Sequence, residues 1–274
     1  MQQRTLAFIG AGNMSRSIIA GLIQAGYPAE RIIAANPSRP KLDELASQFG
    51  IRITQDNTEA AREAEVIVLA VKPQLMAGML TTLVAELGSL DGKLLISIAA
   101  GIRVARLQEM AGGHERIIRT MPNTPSLLGL GMTGLYAPPA IGQADRAVAE
   151  QMMQSVGKTL WVDEEAGING VIAAAGSAPA YFFLFMQAIA EEAEAMGFTP
   201  EQARLLVQQT ALGAAAMVEQ NPDLSLQTLR EQVTSKGGTT AEAVKTFQEQ
   251  GLMPLTARAM QAAVTRAGEM ETLF

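Results

Sequence analysis

Two glycines near the start of the sequence lie where an apolar run gives way to an amphipathic stretch. The segment is Phe8-Ile9-Gly10-Ala11-Gly12-Asn13-Met14-Ser15. In such a turn the first glycine permits a sharp bend, and the second lets the backbone approach a phosphate that the following helix N-terminus binds. Ser15 replaces the usual third glycine and is small enough for close packing. The alternative is an ordinary strand-to-helix turn, but the context favours a dinucleotide site at Gly10, Gly12, Asn13 and Met14.

The residues after the second apolar run bear on the choice of dinucleotide. Sites that select NADH usually carry Asp or Glu here to bind the ribose hydroxyls. This chain has Asn36, then Ser38, Arg39 and Lys41. A neutral amide does not repel a 2′-phosphate, and a guanidinium binds one through charge-assisted hydrogen bonds. The pattern favours NADPH with NADH as a second possibility, the alternative being that the cations only mark a solvated helix start.

Three later turns follow apolar runs in the same half of the chain. They are Val71-Lys72-Pro73, Ala99-Ala100-Gly101 and Met121-Pro122-Asn123-Thr124-Pro125. In a parallel sheet the carboxyl ends of the strands face the ligand, so we expect these turns near the cofactor. We also expect Asn123 and Thr124 to hydrogen-bond the nicotinamide carboxamide or the substrate.

A hydroxyl-rich loop lies far downstream, at Val233-Thr234-Ser235-Lys236-Gly237-Gly238-Thr239-Thr240. Thr239 or Thr240 as a plain helix N-cap explains the threonines. It does not explain two glycines and four hydroxyl residues in one loop. Such a loop can turn successive N–H groups toward a carboxylate, with a helix dipole behind them.

Absent residue types narrow the chemistry further. The sequence has no cysteine and one histidine, His114, in a glycine turn that predicts a solvated loop residue. This leaves no support for a Ser-His-Asp triad or a metal site. Between Glu165 and Glu191 there is no Lys or Arg. A ketone or aldehyde usually needs a side-chain acid during reduction, whereas a protonated imine does not, so C=N is favoured over C=O, although Lys236 keeps the choice open.

The elements that position these residues follow from hydrophobic periodicity. Strands are predicted at Leu6–Gly10, Ile32–Asn36, Ile51–Thr54, Val66–Val71, Leu94–Ile98, Ile117–Thr120, Thr133–Ala137 and Thr159–Val162. Helices are predicted at Asn13–Ala25, Lys41–Gln48, Glu59–Ala64, Gln74–Glu86, Val104–Ala111, Ala144–Ser155, Ile168–Met196, Pro200–Gln220, Leu226–Val233, Thr240–Gln250 and Pro254–Met270. Alternation of strands and helices predicts an α/β Rossmann domain with a doubly wound sheet, at residues 1–163, and the later pattern an all-helical domain at 164–274.

Composition sets the class of protein. Apolar residues make up 48% and charged residues 18% of the chain, and the net charge is −6, which argues against a nucleic-acid partner. The uncharged stretch Ala166–Ala190 has the length of a membrane span, but its polar residues and the following glutamates favour a buried helix, covered in part by a partner subunit. Gly10 and Gly12 interrupt the first apolar segment, so we expect no signal peptide and a cytoplasmic location.

The chain resembles the pyrroline-5-carboxylate reductases, the last enzymes of proline biosynthesis, nearly from end to end. The segments that carry the resemblance are Phe8 to Met14, Ala70-Val71-Lys72-Pro73, Ala99-Ala100-Gly101, Arg119 to Pro125, Gly176-Ser177-Ala178-Pro179-Ala180-Tyr181 and Gly237-Gly238-Thr239-Thr240. The resemblance implies an oxidoreductase that uses NAD(P)H to reduce 1-pyrroline-5-carboxylate to L-proline, with hydride transfer to the imine carbon. It also implies a homodimer through the helical domain and, in this family, commonly decamers.

Residue roles follow from the same resemblance. The substrate carboxylate is assigned to Ser235, Gly237, Gly238 and Thr239, and Ser177 is assigned to the substrate site as well. Thr240 corresponds to the threonine that faces the ring nitrogen. Two departures are Ala178, where the family usually has glycine or serine, and Lys236, where it has proline.

Two other functions remain open from the residues. A hydroxyacid dehydrogenase on the same scaffold would be expected to have a catalytic lysine on the long helix after Glu165. The stretch from Glu165 to Glu191 has no lysine, which disfavours this function. A dinucleotide-sensing or scaffolding protein would keep the first glycine turn but would not need the hydroxyl-rich loop.

Overall fold

The computed structural model describes residues 3–273 of the chain. Within these residues, eight strands form one sheet: β1 Leu6–Ile9, β2 Ile32–Ala35, β3 Arg52–Thr54, β4 Val66–Leu69, β5 Leu94–Ser97, β6 Ile117–Met121, β7 Gly131–Tyr136 and β8 Gly157–Trp161. Their order across the sheet is β3-β2-β1-β4-β5-β6-β7-β8. Strands β1 to β6 are mutually parallel, β7 runs antiparallel to β6, and β8 is parallel to β7. The predicted doubly wound sheet is confirmed.

Apolar runs form the central strands because both faces of a parallel sheet are covered. All four residues of β1 are buried. Leu6 and Phe8 join one apolar core, whereas Ala7 and Ile9 join the core on the opposite face. The same two-residue alternation divides β4, so the sheet separates two layers of side chains.

Helices follow the predicted pattern with shifted ends. In the part of the chain with the strands they are α1 Asn13–Gln24, α2 Arg39–Phe49, α3 Asn57–Glu63, α4 Pro73–Leu87, α5 Val104–Met110, α6 Gln143–Gln154 and α7 Gly167–Val171. Short 3-10 turns occupy Ala29–Arg31 and Thr124–Leu128, and a π-helical turn occupies Ile172–Gly176. The later helices are α8 Ala178–Ala195, α9 Pro200–Gln220, α10 Leu226–Gln232, α11 Thr239–Glu249 and α12 Leu252–Met270. The predicted helix Ile168–Met196 is therefore interrupted by the π-turn.

The chain forms two compact units that differ from the predicted division. One unit contains the residues up to Ser177 together with those from Ala263 onward, and the other is Ala178–Ala262. The second unit is helical throughout its regular elements, and α8 and α9 pack together within it. The boundary between 163 and 164 was drawn from residue pattern and stays a prediction.

A buried arginine ties the end of α12 to the sheet of the first unit. Arg119, on β6, is 1% exposed. Its Nη1 lies 3.0 Å from Oε1 of Glu165 and 2.9 Å from Oε1 of Glu271. Glu165 also accepts a hydrogen bond from the backbone N–H of Val104 at 2.7 Å. Two carboxylates thus compensate the buried guanidinium, as a buried charge requires, and the half-exposed Arg103 also lies 3.8 Å from Glu165 and 3.6 Å from Glu271.

His114 lies in the loop before β6, as predicted, but its side chain is half-buried and only partly solvated. Its Nε2 lies 3.0 Å from the backbone oxygen of Lys93. Burial lowers the pKa of His114 below its usual 6.5; the Arg116 charge lowers it further, while the hydrogen bond to Lys93 and the Asp91 charge act in the opposite direction. One side of the imidazole thus packs against the backbone near the amino end of β5.

One helical stretch of the described chain, Gly167–Ala195, has the length and composition of a membrane span. Its surface includes Phe182, Phe183 and Leu184, each exposed by about two thirds in this chain. Exposed apolar side chains of this kind are also typical of an oligomer interface when one subunit is considered by itself. The predicted burial of this helix is therefore not achieved within a single chain.

Candidate active site

The glycine turn after β1 shows why each of its two glycines is needed. Gly10 has φ +108°, and a Cβ atom at this position would lie 2.6 Å from the carbonyl oxygen of Ala70. Its N–H donates to the carbonyl of Ala35 at 2.8 Å. A Cβ atom on Gly12 would meet nothing within 4 Å. Gly10 is required by the fold, whereas Gly12 leaves open space above the backbone.

Two polar side chains brace this turn in ways that the sequence pattern did not predict. The buried hydroxyl of Ser15 donates to the carbonyl of Gly10 at 2.6 Å. Oδ1 of Asn36 accepts from the N–H of Ala11 at 3.3 Å, and its Nδ2 donates to the carbonyl of Ser38 at 3.1 Å. The small size of Ser15 was anticipated but its hydrogen bond was not. Asn36 links the turns after β1 and β2.

The N-terminus of α1 has the features of a phosphate site. Gly12 is the N-cap and contributes no side chain to the helix end. The first backbone N–H groups of a helix have no partner within the helix, so those of Asn13 and Met14 are available to an anion at the positive end of the helix dipole. With the open space at Gly12, this turn fits the pyrophosphate of a dinucleotide.

The turn after β2 presents one cation beside a neutral amide. Arg39 is the first residue of α2, follows the N-cap Ser38, and is exposed. Its Nε lies 2.7 Å from Oδ1 of Asp43, one helical turn further along. Among the described residues the guanidinium has one ion pair, and such an exposed pair is weak and readily exchanged for a phosphate.

The remaining predicted turns lie at the same edge of the sheet. Val71, Lys72 and Pro73 follow β4, with Lys72 as the N-cap of α4. Ala99, Ala100 and Gly101 follow β5, where the hydroxyl of Ser97 accepts from the N–H of Ala99 at 3.3 Å. Because β1 to β6 are parallel, their carboxyl ends meet at one edge, and the order places a topological switch between β1 and β4. The cofactor-side segments are thus brought together.

Asn123, predicted to contact cofactor or substrate, has protein partners at both ends of its amide. It is 8% exposed and lies just beyond β6. Its Nδ2 donates to the carbonyl of Ala175 at 3.0 Å, and its Oδ1 accepts from the N–H of Met132 at 2.9 Å. A role for Asn123 in contact with cofactor stays a prediction, and its visible contacts are within the protein.

The hydroxyl-rich loop belongs to the second compact unit and joins α10 to α11. Gly237 has φ +72°, and the N–H of Gly238 donates to the carbonyl of Ser235 at 3.0 Å. Gly238 is the N-cap of α11, and no side chain caps this helix. The interpretation of Thr239 or Thr240 as an N-cap is therefore wrong. Both threonines stand exposed in the first turn, where backbone N–H groups lack helix partners.

The sheet order, the glycine turn and the open helix end define a dinucleotide-binding protein of the Rossmann class. Residues 5–101 match a family model described as NADP oxidoreductase, coenzyme F420-dependent, and residues 165–270 match pyrroline-5-carboxylate reductase dimerisation. The chain belongs to the pyrroline-5-carboxylate reductase family: it is 58% identical over 274 residues to the reductase of Vibrio alginolyticus, with 100% of each chain covered.

Solved structures agree with this assignment. The pyrroline-5-carboxylate reductase of Coxiella burnetii superposes with a TM-score of 0.93 at 41% identity and covers 98% of this chain and 99% of its own. The pyrroline carboxylate reductase of Plasmodium falciparum, solved with NADP bound, has a TM-score of 0.84 at 28% identity, with 99% of both chains covered. The predicted family and fold class are confirmed.

Proposed function

We propose that this chain reduces 1-pyrroline-5-carboxylate to L-proline with NADPH, the last step of proline biosynthesis, and accepts NADH less well. In the balanced reaction the cofactor gives a hydride to the imine carbon, and the imine nitrogen gains a proton. The products are proline and the oxidised cofactor. The observation that carries this proposal is the full-length similarity to reductases of that name, across both the sheet and the helical part of the chain.

The dinucleotide would be held at the carboxyl edge of the parallel strands. Asn13 and Met14 bind the pyrophosphate through backbone N–H groups, and Gly12 leaves room for it. Arg39 and Ser38 bind the 2′-phosphate, and Asn36 keeps the two turns in register. The segments Val71 to Pro73 and Ala99 to Gly101, which follow β4 and β5, would contact the cofactor at the same edge of the sheet. When bound, the cofactor supplies the hydride.

The substrate carboxylate would be bound by the loop before α11. Ser235, Gly237, Gly238 and Thr239 provide hydroxyl and backbone donors there, at the positive end of the α11 dipole. Thr240 faces the ring nitrogen with a hydroxyl that caps no helix, and Ser177 contributes a further hydroxyl. Hydroxyl groups suffice because a protonated imine is already electrophilic, which agrees with a lysine-free stretch from Glu165 to Glu191.

The reaction is tested by following NADPH oxidation with 1-pyrroline-5-carboxylate and, separately, with a semialdehyde of similar size. We expect turnover of the imine and formation of proline. Turnover of the carbonyl compound alone would favour a hydroxyacid dehydrogenase. Cofactor binding without turnover of either compound would favour a dinucleotide sensor.

The role of Thr240 is tested by Thr240→Ala and Thr240→Ser. We expect Thr240→Ala to lower turnover about tenfold or more, as loss of a hydrogen bond to a developing charge does, without a change in NADPH affinity. Thr240→Ser keeps the hydroxyl and should retain most activity. Thr246→Ala is a matched control, because the Thr246 hydroxyl bonds the Glu242 carbonyl within the same helix. Equal losses of turnover and of NADPH affinity would contradict the assignment.

We propose that a second copy of the chain covers the apolar surface of the helical unit. The match of residues 165–270 to a dimerisation domain supports this, as do exposed apolar side chains in α8 and α9. A mass measurement in solution should give a dimer or a multiple of it. Phe183→Asp should shift the mass toward the monomer, while Arg266→Ala, on the exposed face of α12, should not. A monomer in the unaltered protein would refute the proposal.

We also propose a cytoplasmic location. The first apolar segment, Leu6–Ile9, is a buried strand of the sheet, which supports this assignment. Fractionation of cells that express the chain should recover it with cytoplasmic enzymes, and recovery in the membrane pellet would argue instead for a lipid contact along Gly167–Ala195.

A further inference from the structure

The π-helical turn Ile172–Gly176 places an unusual backbone feature directly before Ser177. The N–H of Ser177 donates to the carbonyl of Ile172, five residues earlier, at 2.7 Å. A π-turn is less stable than the α-helix it interrupts, and such turns are frequent at functional sites. A contact from outside the helix is therefore expected to hold it.

The amide of Asn123 supplies that contact. Its Nδ2 donates to the carbonyl of Ala175 inside the π-turn, at 3.0 Å. Its Oδ1 accepts from Met132, the second residue of β7, at 2.9 Å. One buried side chain therefore joins three segments: the loop after β6, the beginning of β7 and the π-turn.

Close packing fixes the same turn from a second side. A Cβ atom on Gly176 would lie 3.2 Å from Cε of Met121, the last residue of β6. Ahead of the turn, a Cβ atom on Gly134 in β7 would lie 2.8 Å from Val171. The helix around Ala175 thus packs closely against β6 and β7, and the Asn123 bond links the Ala175 carbonyl to the loop after β6.

We infer that Asn123 is a positioning residue that acts through the π-turn to set the place of Ser177. Its amide does not need to touch the dinucleotide for this role. The inference rests on the proposed function only in taking Ser177 as a substrate contact. It predicts that changes at Asn123 raise the KM for the substrate and leave the Kd for NADPH unchanged. A direct contact with the nicotinamide would instead change the Kd for NADPH.

The test uses Asn123→Asp in the full-length protein. The carboxylate keeps an acceptor for the N–H of Met132, but it cannot donate to the carbonyl of Ala175 and repels it. We expect the KM for 1-pyrroline-5-carboxylate to rise about tenfold, as loss of one buried hydrogen bond would produce. The Kd for NADPH should stay within about twofold, which also shows that the variant is folded. An equal weakening of NADPH binding would overturn the inference.

A double variant separates action through Ser177 from a general loss of structure. If Asn123 acts through Ser177, Asn123→Asp should change the KM little when Ser177→Ala is already present. Fully additive effects would overturn the inference. Asn221→Asp is the matched control, because Nδ2 of Asn221 also donates to a helix carbonyl, that of Met217, at 2.8 Å. This control should leave the KM unchanged.

Hydrogen exchange provides a readout that is independent of the reaction. In Asn123→Asp the backbone N–H groups of Ile172–Ser177 should exchange faster than in the unaltered chain. Unchanged exchange in this segment would overturn the inference even if the enzyme is active. If the unaltered chain does not reduce 1-pyrroline-5-carboxylate, the proposed function is refuted. Faster exchange in Asn123→Asp would in that case still support the positioning of the π-turn by Asn123.

Discussion

A Cβ atom on Gly10 would lie 2.6 Å from the carbonyl oxygen of Ala70, and the backbone there has φ +108°. Two backbones, one leaving β1 and one leaving β4, therefore touch at the predicted cofactor edge. Among the described residues, a Cβ atom on Gly12, two residues further along, would meet nothing within 4 Å. The two glycines of one motif thus have different roles. Gly10 allows the backbones after β1 and β4 to approach each other, and Gly12 leaves space for a ligand.

Exchange of each glycine for alanine should separate these needs. Gly10→Ala should lower the free energy of unfolding by about 1–3 kcal/mol or more, because it adds a backbone clash to a strained φ. Gly12→Ala meets no steric clash and should lower stability by at most about 1 kcal/mol, the cost of alanine at a helix N-cap, but it should lower NADPH affinity about tenfold. Urea unfolding and cofactor titration measure the two quantities. A loss of stability in Gly12→Ala as large as that in Gly10→Ala would show that the space above Gly12 is filled by protein.

Removal of the buried guanidinium of Arg119 should be costly. Arg119→Met leaves the carboxylates of Glu165 and Glu271 close together, and among the described residues the half-exposed Arg103, 3.8 and 3.6 Å from them, is the cation that remains beside both. Breaking a buried ion pair in this way costs about 3–5 kcal/mol. Denaturant unfolding should show a loss of this size. Arg266→Ala, which removes an exposed ion pair with Glu269 at 2.7 Å, should cost less than about 1 kcal/mol. Similar losses in both variants would contradict the prediction.

Stability should fall as the pH drops below 6.5 because of His114. Burial lowers the pKa of this imidazole in the folded chain, so the unfolded chain binds the proton more readily. The contribution is fully present above pH 6.5, decreases below it, and levels off once the folded-state pKa is passed. His114 is the only histidine of the sequence. His114→Gln should therefore remove this slope in unfolding measurements between about pH 7.5 and 5.5, a range that contains the titration of an unperturbed histidine. An unchanged slope would assign it to other groups.

Cofactor choice should depend on Arg39 and, in the opposite direction, on Asp43. Arg39→Ala should weaken NADPH about tenfold relative to NADH, through loss of a charge-assisted hydrogen bond to the 2′-phosphate. Asp43→Asn frees the guanidinium from its ion pair and should favour NADPH by less than about fivefold, since an exposed pair is weak. Steady-state measurements with both cofactors give the ratio. The assignment fails if neither variant changes it.

The sheet could be predicted because its signals are local. A buried run such as Leu6–Ile9 and a helix start at Asn13 are visible within a few residues of sequence, and their alternation implies parallel strands. Helix ends were less certain, since Gly238 and not a threonine caps α11. The segments of the candidate cofactor site followed from the rule that ligands bind at the carboxyl ends of such strands.

Contacts between distant segments could not be predicted in the same way. The partners of Arg119, Glu165 and Glu271, lie 46 and 152 residues away in the sequence, and no local sequence pattern predicts either contact. A charged residue within an apolar strand does predict that some carboxylate must reach it. The residue type of Asn123 and its place after a strand predict a ligand contact, whereas its bond to Ala175 depends on a π-turn that no local sequence pattern indicates.

The division of the first compact unit has a consequence for synthesis. A ribosome delivers β6 long before Ala263 and the residues that follow, with Ala178–Ala262 made in between. During that interval Arg119 has only Glu165 of its two carboxylate partners. The ion pair between Arg119 and Glu271 can therefore form only after the last residues of the chain have been synthesised.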